Sequence, residues 1–142
     1  MQKKILTWMM GCLLLAHSAH ADNYATPGQF IGSKTLVTFW SGDCASCGKQ
    51  LPILVNVAKM NPTIKLYVIY LQGLGEGNDI NAILPANMLV RYVAEASSTL
   101  RSFGATASML PFSALIADDG TVCRSHAGVQ GAATLEDWIN KC

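Results

Sequence analysis

An α/β domain with the order β-α-β, an insertion, then β-β-α is what the sequence predicts, and three observations predict it. An apolar run, Thr35 to Trp40, leads through Cys44-Ala45-Ser46-Cys47 into a helical pattern. A second apolar run, Ile64 to Leu71, follows that helix at the spacing of a right-handed crossover between parallel strands. Farther on, Phe112 to Ala117 meets Asp118-Asp119-Gly120, a hairpin turn signal, and an amphipathic helix closes the chain.

The first segment of the 142 residues is expected to be absent from the working protein. Lys3 and Lys4 precede an apolar run from Ile5 to Ala16, and Ala19-His20-Ala21 puts small residues where a signal peptidase reads. Residues 1–21 therefore read as a cleaved secretory signal peptide, too short in its apolar run to span a bilayer comfortably. Lipidation at Cys12, in Met10-Gly11-Cys12, is an alternative that would tether the product to a membrane. Residues 22–34, polar and carrying Pro27 and Gly28, read as a loose lead-in. Residues 35–142 form one domain, enough for a single compact core. Loss of Lys3 and Lys4 takes the ten Lys and Arg to eight, against nine Asp and Glu, a balance that gives no sign of nucleic-acid binding.

Thr35 to Trp40 is apolar on both faces, as a central strand should be. Cys44 to Met60 reads as the helix, with Leu51, Leu54, Val55 and Ala58 forming its buried stripe. Pro52 should kink it and Asn61-Pro62 should end it. The region from Gln72 to Ala107 is the least patterned. Gln72 to Asn78 is a loop with three glycines and has no phosphate-binding signature; Asp79 to Leu84 fits one or two helical turns. Met88 to Val93 fits strand or helix, and Ser97 to Phe103 a short helix capped by Ser-Ser-Thr and ended by Gly104. Thr121 to Ala127 is the returning hairpin strand. The last helix runs from Thr134, as its cap, to Lys141, with Glu136 and Asp137 in the first turn and Leu135, Trp138 and Ile139 buried.

The chemistry-bearing residues are cysteines. Four follow the signal peptide, Cys44, Cys47, Cys123 and Cys142, and an even number in an exported chain favours disulfides over metal. The positive end of a helix stabilises a thiolate, the reactive form of cysteine, so Cys44 reads as the nucleophile. Cys47, about one turn later on the same side, reads as the thiol that resolves a mixed disulfide. A structural disulfide or a metal pair is the alternative. A closed zinc site needs four ligands, and with His126 as the one histidine after residue 21 it would have to recruit Cys123 or Cys142. Cys123 to Gly128 covers roughly 17 Å as strand, and the returning helix to Cys142 roughly 15 Å. Their ends should meet, so a structural Cys123–Cys142 disulfide is expected, with a second redox pair relaying electrons to Cys47 as its alternative.

Taken together, Val37-Thr38-Phe39-Trp40, Cys44-Ala45-Ser46-Cys47, Pro52, Leu110-Pro111, Leu115-Ile116 and Asp119-Gly120 resemble the thioredoxin superfamily, most closely its exported TlpA/ResA-like branch. The resemblance implies a thioredoxin fold in which Pro111 is cis and its loop faces the two cysteines. It implies that this loop pairs with a substrate peptide, with Leu110 helping to shape substrate choice. The chain departs from the pattern at Asp43, where the family usually has Trp. It departs again at Thr38 and Gln50, where the family carries acids that could take a proton from Cys47.

The expected activity is exported, periplasmic thiol:disulfide oxidoreduction on cysteine-containing exported proteins. No organic cofactor or metal is expected, a membrane redox partner would reset the Cys44–Cys47 pair, and the chain should be a monomer. Alternatives are a copper carrier, although such carriers use a different cysteine spacing and a dedicated histidine where His126 reads as a solvated surface residue, and a weakly catalytic client-binding module of a secretion, conjugation or cytochrome-maturation pathway. Trp40 is a core residue or a wall of the substrate groove; Trp138 is core, and Ser46 is given no role.

Overall fold

The computed structural model describes residues 23–74, 80 and 83–142. The expected signal peptide, Cys12, most of the glycine loop and half of the helical turn expected at 79–84 lie outside them. The elements are β1 (Thr35–Trp40), α1 (Cys47–Met60), β2 (Lys65–Leu71), β3 (Met88–Val93), α2 (Ala96–Ser102), β4 (Phe112–Ile116), β5 (Val122–Ala127) and α3 (Ala132–Lys141). Short 3-10 turns cover Pro27–Phe30 and Ala107–Met109. Among the described residues, no helix is long and apolar enough to cross a membrane.

The five strands form one sheet in the order β3-β2-β1-β4-β5. β2 runs parallel to β1 and β3 parallel to β2, while β4 is antiparallel to both β1 and β5. All six residues of β1 are buried because the strand is central and both faces are covered. On one face Leu36, Trp40, Leu66, Val68 and Leu115 pack with Leu54, Val57 and Ala58 of α1 and with Leu135, Trp138 and Ile139 of α3. On the other, Val37, Phe39, Ile69 and Ile116 pack with Leu100 of α2, Phe103 and Phe30. Phe39 and Phe103 meet edge to face at 4.8 Å.

Several element boundaries differ from expectation, and the open choice at Met88 to Val93 is resolved. α1 begins three residues later than the pattern suggested, and its buried face is Cys47, Gln50, Leu54, Val57 and Ala58, with Leu51 and Val55 half-buried beside it. The helix runs through Pro52 without interruption. Met88 to Val93 is an edge strand. Glu95, not the Ser-Ser-Thr run, precedes α2, because Thr99 is buried and its Oγ1 accepts the Ala25 N–H at 2.9 Å. The segment read as a loose lead-in is thereby fastened: Ser102 Oγ donates to Ala25 O and Glu95 N–H to Asn23 O. α3 starts at Ala132, so Thr134 lies inside it and Glu136 and Asp137 fall past its first turn. Asn87 holds the ends of the crossover together, its Nδ2 donating to the carbonyls of Ala58, Asn61 and Ile64 at 2.9–3.0 Å.

Candidate active site

At the carboxyl end of β1 the chain turns through Ser41-Gly42-Asp43 before α1 begins. Cys44 N–H donates to Ser41 O at 3.3 Å, and Cys47 N–H to Cys44 O at 3.1 Å. These bonds place Cys44 just ahead of the helix and Cys47 as its first residue, with no acidic side chain in the first helical turn. The two cysteines are joined in a disulfide with Cα atoms 5.4 Å apart. Cys47 is fully buried, and Cys44 is 9% exposed. That difference decides which sulfur a partner can reach. Once the pair is reduced, the amino end of α1 favours negative charge at Cys44, where the neighbouring Asp43 carboxylate opposes it.

Cys44 opens on a groove of about 300 Å³ whose walls include Asp43, Ser46, Leu74, Ala107 and Leu110. The Leu110–Pro111 peptide is cis. Pro111 is buried, and its carbonyl accepts the Gly128 N–H at 2.7 Å, which fixes the loop to the end of β5. Leu110 stays half-buried at the groove wall. Leu74, also on the groove wall, accepts the Asp43 N–H through its carbonyl at 3.1 Å, tying the start of the insertion to the cysteine turn. Leu74 and Ala107 were invisible as site residues in the sequence. The one signal was a leucine isolated among glycines.

Trp40 does not line this groove. It is 3% exposed and belongs to the cluster that includes Cys44, Cys47 and Leu54, which places it, of the two expectations, in the core beneath the pair and not on the groove wall.

The two positions where the sequence lacks acids are filled by neutral groups with partners. Thr38 Oγ1 and Ser113 Oγ share a hydrogen bond of 2.9 Å between paired residues of β1 and β4. Gln50, fully buried one turn after Cys47, accepts the Gln130 N–H at 2.6 Å and donates to Gln130 O at 3.0 Å. It therefore latches the segment ahead of α3 onto α1. Gln130 Nε2 lies 2.9 Å from Nδ1 of the exposed His126. Among the described residues, no three His, Cys, Asp or Glu side chains group as a metal site would require.

Cys123 and Cys142 form the second disulfide, with Cα atoms 6.2 Å apart. Cys123 follows Val122, which pairs with Ile116, and Ile116 pairs with Thr35 at the start of β1. The bond thus sits at the end of the sheet opposite Cys44, five strand steps or roughly 17 Å along β1.

Comparison with solved structures finds the same architecture. The pneumococcal exposed lipoprotein thioredoxin Etrx1 of Streptococcus pneumoniae superposes with a TM-score of 0.63 at 20% identity, covering 80% of this chain and 89% of that one. The chain has the thioredoxin fold. A secreted disulfide oxidoreductase of Mycobacterium tuberculosis gives a TM-score of 0.60 at 17% identity over 80% of this chain and 85% of the other. StoA from Bacillus subtilis gives 0.59 at 19% identity over 77% and 84%. No protein-family model matches the chain, and no curated protein matches it in sequence. In the thioredoxin fold seen here, the cysteine turn that follows β1 and Leu110, just before the cis proline, line the same groove.

Proposed function

We propose that the protein is an exported thiol:disulfide oxidoreductase acting on cysteines of other exported proteins. The observation that carries this reading is the asymmetry of the pair, with Cys44 at the groove and Cys47 buried behind it. In the reducing direction, the Cys44 thiolate attacks one sulfur of a client disulfide and the client's other sulfur leaves as a thiolate. Cys47 then loses its proton and attacks Cys44, releasing the second client thiolate and re-forming the Cys44–Cys47 disulfide. Two electrons pass to the client; the reverse sequence oxidises it. The chemistry needs neither cofactor nor metal, and a membrane redox partner returns the pair to its starting state. The signal-peptide pattern of residues 1–21 and similarity to a secreted oxidoreductase and an exposed lipoprotein support export to the periplasm or its equivalent. The Leu110–Pro111 loop is the proposed docking edge for the client backbone, and the working unit is a monomer.

Reduction of insulin by the protein, pre-reduced and resupplied with dithiothreitol, tests the activity. Cys44→Ser should abolish it, and Cys47→Ser should accumulate a mixed disulfide with the client. Equal activity of wild type and Cys44→Ser would sink the reading. Equilibration of the pair against glutathione assigns the direction: a potential near about −270 mV marks a reductase, one near about −120 mV an oxidant.

A further inference from the structure

A second pocket, of about 190 Å³, adjoins the Cys44 groove. Leu74 and Ala107 line both spaces, so the two share a wall there. The pocket is bounded by Leu100 of α2 and Ala105, both buried, with Ser97, Arg101 and Thr106 exposed around it. Its wall at Leu74 is anchored to the cysteine turn through the Asp43 N–H bond, so its position relative to Cys44 is set by backbone.

We propose that this pocket is a second subsite of the groove and takes an apolar side chain of the extended polypeptide whose cysteine reacts with Cys44. The proposal rests on the oxidoreductase reading above. An extended chain held at Cys44 and continuing past Leu74 and Ala107 passes directly over the pocket. Every second side chain of an extended segment points to the same side, so a residue a few positions from the cysteine can enter it. Leucine, isoleucine, valine or methionine suits the apolar floor. The Arg101 guanidinium donates a weak hydrogen bond, 3.5 Å to Ser98 Oγ, and puts a positive charge at the rim that disfavours lysine or arginine in the same place.

Short peptides with one cysteine, held as a mixed disulfide with glutathione, test this. The flanking residues are Gly and Ser, with one Leu moved through each position in turn. The reduced protein converts each to free peptide and free glutathione as its own Cys44–Cys47 disulfide forms, and the second-order rate is followed. One Leu position should raise the rate about tenfold over the Gly/Ser peptide, as expected for burying part of an aliphatic side chain, and Lys at that position should not. Ser97→Trp fills the pocket from α2 and should bring the ratio to about one; Thr106→Trp, from the loop after α2, should do the same. A rate indifferent to Leu position overturns the subsite and leaves the oxidoreductase reading standing. So does a Leu preference that survives in both folded Trp variants. Failure of every peptide to exchange overturns both.

Discussion

Asp43 and Gln50 bracket the two cysteines and differ in what they do to charge there. Asp43 is exposed at the groove, and its carboxylate works against a thiolate on the next residue. Asp43→Asn should speed alkylation of reduced Cys44 by iodoacetamide in mildly acidic buffer by about twofold, as befits an exposed charge pair, with the gain shrinking in high salt. Gln50 carries no charge and satisfies both backbone groups of Gln130. Gln50→Leu leaves those groups unpaired in the interior and should lower stability by about 2 kcal/mol in urea denaturation. Seen from the sequence, Gln50 was only a missing acid. Its role as a latch depends on a contact 80 positions away, which no local pattern encodes.

The hairpin between β4 and β5 shows how an element records its own chemistry. Gly120 has a φ of +84°, and a Cβ there would come within 2.6 Å of the Ile31 side chain, so the turn needs glycine twice over. The Thr121 hydroxyl and then the Thr121 N–H donate to the Asp119 carboxylate and hold its pKa below the ordinary value. A lowered folded-state pKa means that the charged form stabilises the turn above the unfolded-state pKa, and that this is lost as pH falls through the folded one. Wild type should therefore be more stable than Asp119→Asn at neutral pH, with the difference vanishing in acid, as thermal melts across pH would show. This turn, β1, β2 and the buried face of α3 were legible because apolar periodicity and turn residues coincide there. Helix starts were not. Cys44 and Thr134 both suit a helix start by type, yet the Cys44 N–H bond to Ser41 O and the Leu135 N–H bond to Gly131 O go with starts at Cys47 and Ala132. Nor was the 23–30 segment, whose polar look conceals buried Ala25 and Phe30 because their partners are Thr99 and the far face of the sheet.

For the whole molecule, the strands give the fold a polarity. The Cys44–Cys47 pair lies at one end, while the hairpin turn, the Lys34 Nζ bond to Ile139 O and the Cys123–Cys142 bond gather at the other. Replacing both Cys123 and Cys142 by Ala should lower stability by about 3 kcal/mol in the loop-entropy model, read as a shift of the urea midpoint, while insulin reduction persists. The central strand, both helices over it and the cysteine motif could be inferred from sequence. This polarity could not, since it follows from strand pairing. Its consequence is kinetic independence. Sulfurs at opposite ends of β1 are too far apart to exchange with one another directly, so under the proposed function the Cys44–Cys47 pair can cycle while the bond that fastens the last helix takes no part.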